Sequence, residues 1–388
     1  MGIKGLNKFL QAHLPKGKGI YTIKSSTLQD SAIAVDTSIY MYKFITAIKN
    51  SGTDIYSQDG QIITHLHAIL NRTFALLKHK IKPIFVFDGK ASKEKNELLK
   101  ERQTKKLHAS SQIDDLRKRI KEIKTLMKPM AETTEDIENY KILFAEFMTC
   151  RNKLKSMLKQ SSSVSSDQMN ECKELLRILN IPVIEALQEA DPVCAHLTKI
   201  NLADSVSSED MDILTFGAKQ LVTKLSAKDT CTKYVLSEIL EGLDVTLEQY
   251  IDISILLGCD YTCTISGLGP KKIYNEIKTH GNIEGIIRTG KYSVSDEFDY
   301  VTARKMFSNP KVNNIEDIEW GIPDYERLRE FLLAKAYTED EINKICDVFQ
   351  GGYYSVISGE KSLQSYRHDC VKYKRKKTVV KFESDDED

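Results

Sequence analysis

The feature that most constrains this chain is a pair of short apolar runs that each stop at an aspartate. Ala32-Ile33-Ala34-Val35 is followed by Asp36, and Pro83-Ile84-Phe85-Val86-Phe87 by Asp88. A third run, Ile181-Pro182-Val183-Ile184, comes later. Runs this short and this apolar read as strands buried on both faces. Between them, His65 to Lys78 repeats apolar residues at helical spacing (Leu66, Ile69, Leu70, Phe74, Leu77), and Met169 to Leu179 does so through Cys172, Leu175, Leu176 and Leu179. Alternating strand and helix imply an α/β fold with a mainly parallel central sheet. Ligands bind such sheets at the carboxyl ends of the strands, so Asp36 and Asp88 stand at a site mouth. Either alone is as readily a turn residue or a helix N-cap; the two together point to a site.

Further acids cluster at two places. Glu189 and Asp191 stand two residues apart, as do Asp210 and Asp212 within Glu209-Asp210-Met211-Asp212. On an extended or turn segment that spacing points both side chains to one side. The second pair directly precedes Ile213-Leu214-Thr215-Phe216, which reads as a strand. Asp260 follows a helical stretch from Leu247 to Leu257 and its cap Gly258. Clustered carboxylates raise one another's pKa unless a cation neutralises them. An oxygen-only donor set suits magnesium or manganese and not zinc. Two such ions would serve in-line displacement at a phosphate. The bland alternative is solvated surface acid, which 55 Asp and Glu residues supply in quantity.

The remaining pattern divides the chain. Residues 1–102 and 168–350 carry the strands, helices and acids. Residues 103–167 read as an inserted helical hairpin, through Ile113, Leu116, Ile120, Ile123 and Met127, then Tyr140, Phe144, Phe147, Leu154 and Leu158. Pro129 breaks it, and the serines at 161–166 close it as a hinge. A dimerising arm is the alternative for this insert. Gly267-Leu268-Gly269-Pro270-Lys271-Lys272 lies between helical stretches. Its glycines let backbone approach a phosphate, and Lys271 and Lys272 add charge. Beyond Lys271 the chain reads helical for a long way. Residues 351–388 read as a largely disordered tail, basic at Lys374-Arg375-Lys376-Lys377 and then acidic, whose last stretch from Tyr373 to Asp388 has too few apolar residues to pack.

Net charge is +1 over 388 residues, but it is segregated: Lys90 to Lys106 holds seven Lys or Arg against three Glu. A neutral total therefore conceals a basic face beside an acidic site. No apolar run reaches membrane-spanning length, and the N-terminus lacks a secretory pattern. None of the eight cysteines forms a C-x-x-C pair, so reduced thiols are expected and structural zinc is disfavoured.

Six motifs in order resemble the flap endonucleases of the XPG-type structure-specific nuclease superfamily. They are Met1-Gly2-Ile3-Lys4-Gly5-Leu6, Val35 to Tyr40, Val86 to Lys90, Glu209 to Asp212, Leu256 to Tyr261, and Gly267 to Lys271. The resemblance implies a PIN-like nuclease core, an inserted helical arch over the site, and a C-terminal helical region with a helix-two-turn-helix DNA-binding element. It implies a monomer that cuts 5′ flaps and acts as a 5′ exonuclease, in the nucleus or a viral replication compartment. Carried over by motif, Asp36, Asp88, Glu189, Asp191, Asp210, Asp212 and Asp260 become ligands for two Mg²⁺ ions, with Mn²⁺ able to substitute. Lys95 and Arg102 match a basic pair at the start of the arch, Tyr42 an aromatic that stacks a base beside the cut, and Gly2 an N-terminal glycine at the active site. Gly267, Gly269, Lys271 and Lys272 would hold duplex backbone, with K⁺ in the same element.

Three departures stand out. The family usually has Glu where Asp191 stands. The hairpin looks longer than in compact relatives. Neither Gln350 nor Gln364 begins a sliding-clamp box, so clamp recruitment is not expected. Alternative readings are a duplex 5′ exonuclease or junction resolvase of the same superfamily, or a catalytically silent DNA-binding scaffold.

Overall fold

A computed structural model of the chain describes residues 2–50, 54–89, 96–127, 134–161, 164–226, 228–353 and 356. Seven strands form one sheet: β1 (Ile20–Lys24), β2 (Ala32–Asp36), β3 (Lys82–Phe87), β4 (Val183–Glu185), β5 (Ser205–Ser207), β6 (Gln220–Thr223) and β7 (Thr230–Val235). Their order is β1-β7-β6-β5-β2-β3-β4. The five from β6 to β4 are parallel, and β7 and β1 add an antiparallel edge. The chain runs outward from β2 through β3 to β4, then returns to β5 on the other side of β2. The strand order therefore reverses between β2 and β5, and a crevice opens there beyond their carboxyl ends.

The expected strand runs are central because both faces of the sheet are covered. Ile33 and Val35 face one core with Phe85 and Phe87, while Ala34 faces the other with Ile84 and Val86. The helices that cover the sheet or extend from it are α1 (Leu6–His13), α2 (Thr37–Asn50), α3 (Thr64–Lys78), α4 (Asn96–Met127), α5 (Thr134–Ser161), α6 (Ser166–Ile178), α7 (Ala190–Lys199), α8 (Asp212–Thr215), α9 (Leu236–Leu243), α10 (Leu247–Leu257) and α11 (Pro270–His280). Helices α4 and α5 are the inserted hairpin. Its first helix already starts at Asn96, ahead of the change of pattern at Gln103. Strands from both sides of the insert join one sheet, so the flanking segments share a core. Among the described residues no helix is long and apolar enough to cross a membrane.

Two expectations are corrected. Ile213 to Phe216 is not a strand: α8 is a single helical turn, closed by Gly217 in a left-handed conformation (φ +84°). All four residues are buried, so hydrophobicity carries no period and a short apolar run is ambiguous between strand and helix. Nor is the C-terminal region helical throughout. Helices at Ile283–Arg288 and Tyr300–Ser308 are separated from those at Tyr325–Ala334 and Glu339–Val348 by a strap at 309–324 without regular structure. That strap is pinned by Trp320, whose indole donates to the Pro83 carbonyl at 2.8 Å. The acidic end of the C-terminal tail and its Lys374–Lys377 run lie outside the described residues.

Helices α10 and α11 form a helix–loop–helix unit. Buried Asp252 of α10 accepts from Ile283 N (3.1 Å) and from Arg304 Nε and Nη2 (2.8 and 2.9 Å). Arg304 also grips Glu284. One buried carboxylate thus ties α10 to two helices downstream of α11. Elsewhere, His67 of α3 is buried and stacks on Tyr337, with ring centroids 5.4 Å apart. Burial pushes its pKa down to about 4. The unfolded chain then binds the extra proton between about pH 6.5 and pH 4, so stability falls as pH drops through that window. Relative to His67→Leu, the wild type is expected to lose on the order of 3 kcal/mol across it, read as diverging thermal midpoints.

Candidate active site

Each parallel strand around the crevice delivers acid at its carboxyl end. Asp36 ends β2, Asp88 follows β3, Glu189 and Asp191 follow β4, and Asp210 and Asp212 follow β5. Asp260 comes from the loop between α10 and α11. Asp36, Asp210 and Asp212 are buried.

Ser208 is the hinge of the cluster. Its hydroxyl donates to Asp36 Oδ2 at 2.8 Å and accepts from the Asp210 amide at 3.0 Å. It thereby sets the turn that presents Asp210 opposite Asp36. The Asp212 amide donates to Asp210 Oδ1 at 3.2 Å, and Asp212 itself accepts from Ile3 N at 2.5 Å. Asp88 Oδ1 accepts from the Ala190 amide at 2.8 Å, at the start of α7. Asp36 Oδ1 accepts from Ile39 N at 3.3 Å, so it caps α2 as well as facing the crevice.

Gly2 sits against this cluster. Its φ is +88°, and a Cβ there would fall 1.9 Å from Asp210 Oδ1. Only glycine fits that close approach.

The electrostatics follow from crowding. Burial, then the charge of Asp88, pushes the Asp36 carboxyl up to about 7, despite the Ser208 hydrogen bond. Asp191 is held well above the usual carboxylate range by burial and then by the charges of Asp36, Asp210, Asp212 and Asp88. Burial and then Asp210 do the same to Asp212, with Asp260 adding to it. These acids therefore share one electrostatic site. Among the described residues, no three His, Cys, Asp or Glu side chains converge closely enough to enclose an ion as they stand. The fit to a divalent cation rests instead on an oxygen-only set whose members repel one another and which a positive charge would relieve.

Several residues hold the cluster in roles that the sequence did not signal, Tyr261 among them although it closes a matched motif. Tyr261 donates to Glu189 Oε2 at 3.1 Å. Asn313, on the strap, grips the β4 edge: its Nδ2 donates to Glu185 O (3.0 Å) and its Oδ1 accepts from Leu187 N (3.2 Å). That fixes the turn carrying Glu189. Arg72 is buried behind β5, donates to Ser207 Oγ and Leu225 O, and lies 4.9 Å over the Tyr40 ring. Glu209, by contrast, turns away and accepts from Lys224 N at 2.6 Å.

The other expected site residues are distributed. Tyr42 lies in the second turn of α2, half-buried. Lys95 lies outside the described residues, and Arg102 belongs to α4 with its side chain outside them. Gly267 adopts a left-handed φ of +78°, and Gly269 precedes α11, which starts at Pro270. Lys271 and Lys272 are exposed in its first turn. The α10–α11 loop thus holds Asp260 at one end and the exposed first turn of α11, with Lys271 and Lys272, at the other.

Comparisons with known proteins agree on one family. The XPG N-terminal domain matches residues 1–109 and the XPG I-region residues 180–260. Flap endonuclease 1 of Naegleria gruberi is 34% identical over 88% of this chain and 83% of its own length. Flap endonuclease 1 of Candida tropicalis is 32% identical over 98% of both. Among solved structures, the catalytic core of Rad2 with a DNA substrate shares the fold at 21% identity and a TM-score of 0.63, over 90% of this chain and all of that one. Flap endonuclease-1 from Methanococcus jannaschii does so at 23% identity and 0.62, over 90% of this chain and 98% of that one.

Crowding of the acids has a measurable consequence. The native state holds a proton on Asp36 up to about pH 7, whereas the unfolded state releases it near 3.8, so stability falls as pH rises through that window. In chelator, Asp36→Asn is expected to be more stable than wild type at pH 8, by on the order of 2–4 kcal/mol. The gain should vanish toward pH 4. Paired unfolding curves at the two pH values check it; an Asn variant destabilised at pH 8 would contradict the crowding.

Proposed function

The chain belongs to the flap endonucleases of the XPG-type nuclease superfamily, and from that premise we propose that the carboxylate cluster is a magnesium site that hydrolyses DNA at 5′-flap junctions. It is a structure-specific flap endonuclease. The single observation that supports the site reading is that four parallel strands place mutually repelling acids around one switch-point crevice. Asp36, Asp88, Glu189, Asp191, Asp210, Asp212 and Asp260 would hold two Mg²⁺ ions, with Mn²⁺ as substitute. Bound there, the ions would activate a water and stabilise the leaving oxygen of the phosphodiester.

The chain's own residues supply the rest. Ser208, the Ile3 amide and the Ala190 amide fix carboxylate directions before substrate arrives. Tyr42 on α2 would stack a base next to the cut, and Lys95 and Arg102 would stabilise charge developing on the phosphate. The first turn of α11, with Gly267, Gly269, Lys271 and Lys272, would hold duplex backbone, with K⁺ in the same loop. Because that loop also carries Asp260, duplex binding and metal binding are mechanically joined.

On a labelled 5′-flap duplex, cleavage near the junction is expected with Mg²⁺ and none in chelator. Asp210→Ala should lose at least a hundredfold in turnover while binding the flap as wild type. Gly2→Ala should lose turnover too, because its Cβ collides with Asp210. Gly5→Ala, whose added carbon meets open space but whose left-handed φ of +71° strains it, should lose stability and keep turnover. Normal cutting by Asp210→Ala would sink the site assignment. Comparing flap, gapped and four-way junction DNA under one condition separates a flap enzyme from a resolvase.

A further inference from the structure

The turn that carries Glu189 is held from three directions. Strand β4 ends the sheet, so among the described residues no strand covers its outer edge. On the inner side, the Ala186 amide donates to Phe87 O at 2.9 Å and the Gly89 amide to Gln188 O at 2.7 Å. On the outer side stands Asn313 of the strap. Its Nδ2 donates to Glu185 O and its Oδ1 accepts from Leu187 N. A residue of a further parallel strand, lying opposite Ala186, would make that same pair of bonds. One carboxamide therefore stands in for a peptide unit and carries the ladder on to the point where the chain turns into Glu189.

The third hold acts on the side chain. Tyr261 donates to Glu189 Oε2 at 3.1 Å. Its ring meets Phe307 edge-on with centroids 5.2 Å apart, and Phe307 packs on Phe216 at 5.0 Å. Phe307 lies in the last turn of the helix Tyr300–Ser308, where the strap begins. Met306, Pro310 and Lys311 line one narrow cleft with Gln188 and Glu189. The strap is also pinned beyond Asn313, by Trp320 on Pro83 O and by the Gly321 amide, which donates to Asn180 O at 3.0 Å. Residues 306–313 thus back both the turn and the side chain of Glu189. They follow Asp260, the last acid of the cluster, and contain no acid of their own.

We propose that residues 306–313 complete the metal site from outside it, with Asn313 and Tyr261 as positioning residues that hold Glu189 in the direction a divalent cation requires. The proposal rests on the reading of Glu189 as a metal ligand. A carboxylate free to swing must be ordered when the cation arrives, and that ordering weakens binding. Partners that orient a metal ligand are commonly worth about ten- to a hundredfold in metal affinity. The strap therefore sets how much metal the site needs, without touching the substrate.

The test titrates Mn²⁺ into the full chain near pH 7 and follows the electron paramagnetic resonance of the free ion, with thermal unfolding in chelator alongside. Asn313→Leu keeps the size of the side chain and loses both bonds. Tyr261→Phe keeps the ring on Phe307 and loses only the hydroxyl. Each should weaken Mn²⁺ binding about tenfold. In cleavage, the Mg²⁺ needed for half-maximal rate should rise by a similar factor, with KM for the flap at saturating metal unchanged. Glu189→Gln alone should weaken Mn²⁺ binding at least as much. Adding Asn313→Leu to it should change affinity by less than about twofold, because both changes act on one ligand. Wild-type affinity in Tyr261→Phe, or in a folded Asn313→Leu, overturns the proposal. So does a full further loss when Asn313→Leu is added to Glu189→Gln, since the strap would then act on the fold at large. Wild-type binding by Glu189→Gln would refute the ligand reading itself, and the proposal with it.

Discussion

Mutual repulsion among buried carboxylates is the constraint on which this structure turns. Asp36, Asp191 and Asp212 are held above the ordinary carboxylate range by burial and by one another's company. An arrangement this unfavourable persists only when the surrounding fold over-determines it. Here the parallel sheet does so. The strands end side by side, in register, so an acid at each carboxyl end lands beside the next.

The rest of the molecule offsets that repulsion without cancelling it. Backbone amides from three distant segments (Ile3, Ile39, Ala190) donate to the acids, and so does the Ser208 hydroxyl. Hydrogen bonds to an ionised group favour it, yet burial still dominates at Asp36. The extreme N-terminus is part of this support. Gly2 approaches Asp210 because it has no side chain, and Ile3 then reaches Asp212. Farther out, Asn313 and Tyr261 fix the turn that carries Glu189. Stability is thereby sacrificed at the crevice and recovered in the two apolar cores on either side of the sheet.

How much of this was legible in the sequence depended on burial. Strands β2 and β3 declared themselves because both faces are covered and every residue is apolar. Strand β5 did not: it reads Ser205-Val206-Ser207, and Arg72 from α3 partners one of its serines. No period or hydrophobicity marks such a strand, although it delivers two of the acids. The turn α8 was misread for a related reason, being apolar on all sides. The acids themselves were legible as pairs with a spacing. Their supports were not, because Ser208, Tyr261 and Asn313 act through tertiary neighbours far along the chain. The α10–α11 loop could be read from its glycines, whose left-handed and helix-start positions are local requirements.

The cluster's own members are all acids, and adding a divalent cation should expel the protons that crowding retains. Calorimetric titration of Mn²⁺ into the protein near pH 7, repeated in buffers of different ionisation enthalpy, counts those protons directly. The expected result is saturable binding with net proton release that declines at pH 8.5 and in Asp36→Asn. Binding without proton release, or no binding at all, would contradict a carboxylate site held in its protonated state by the fold.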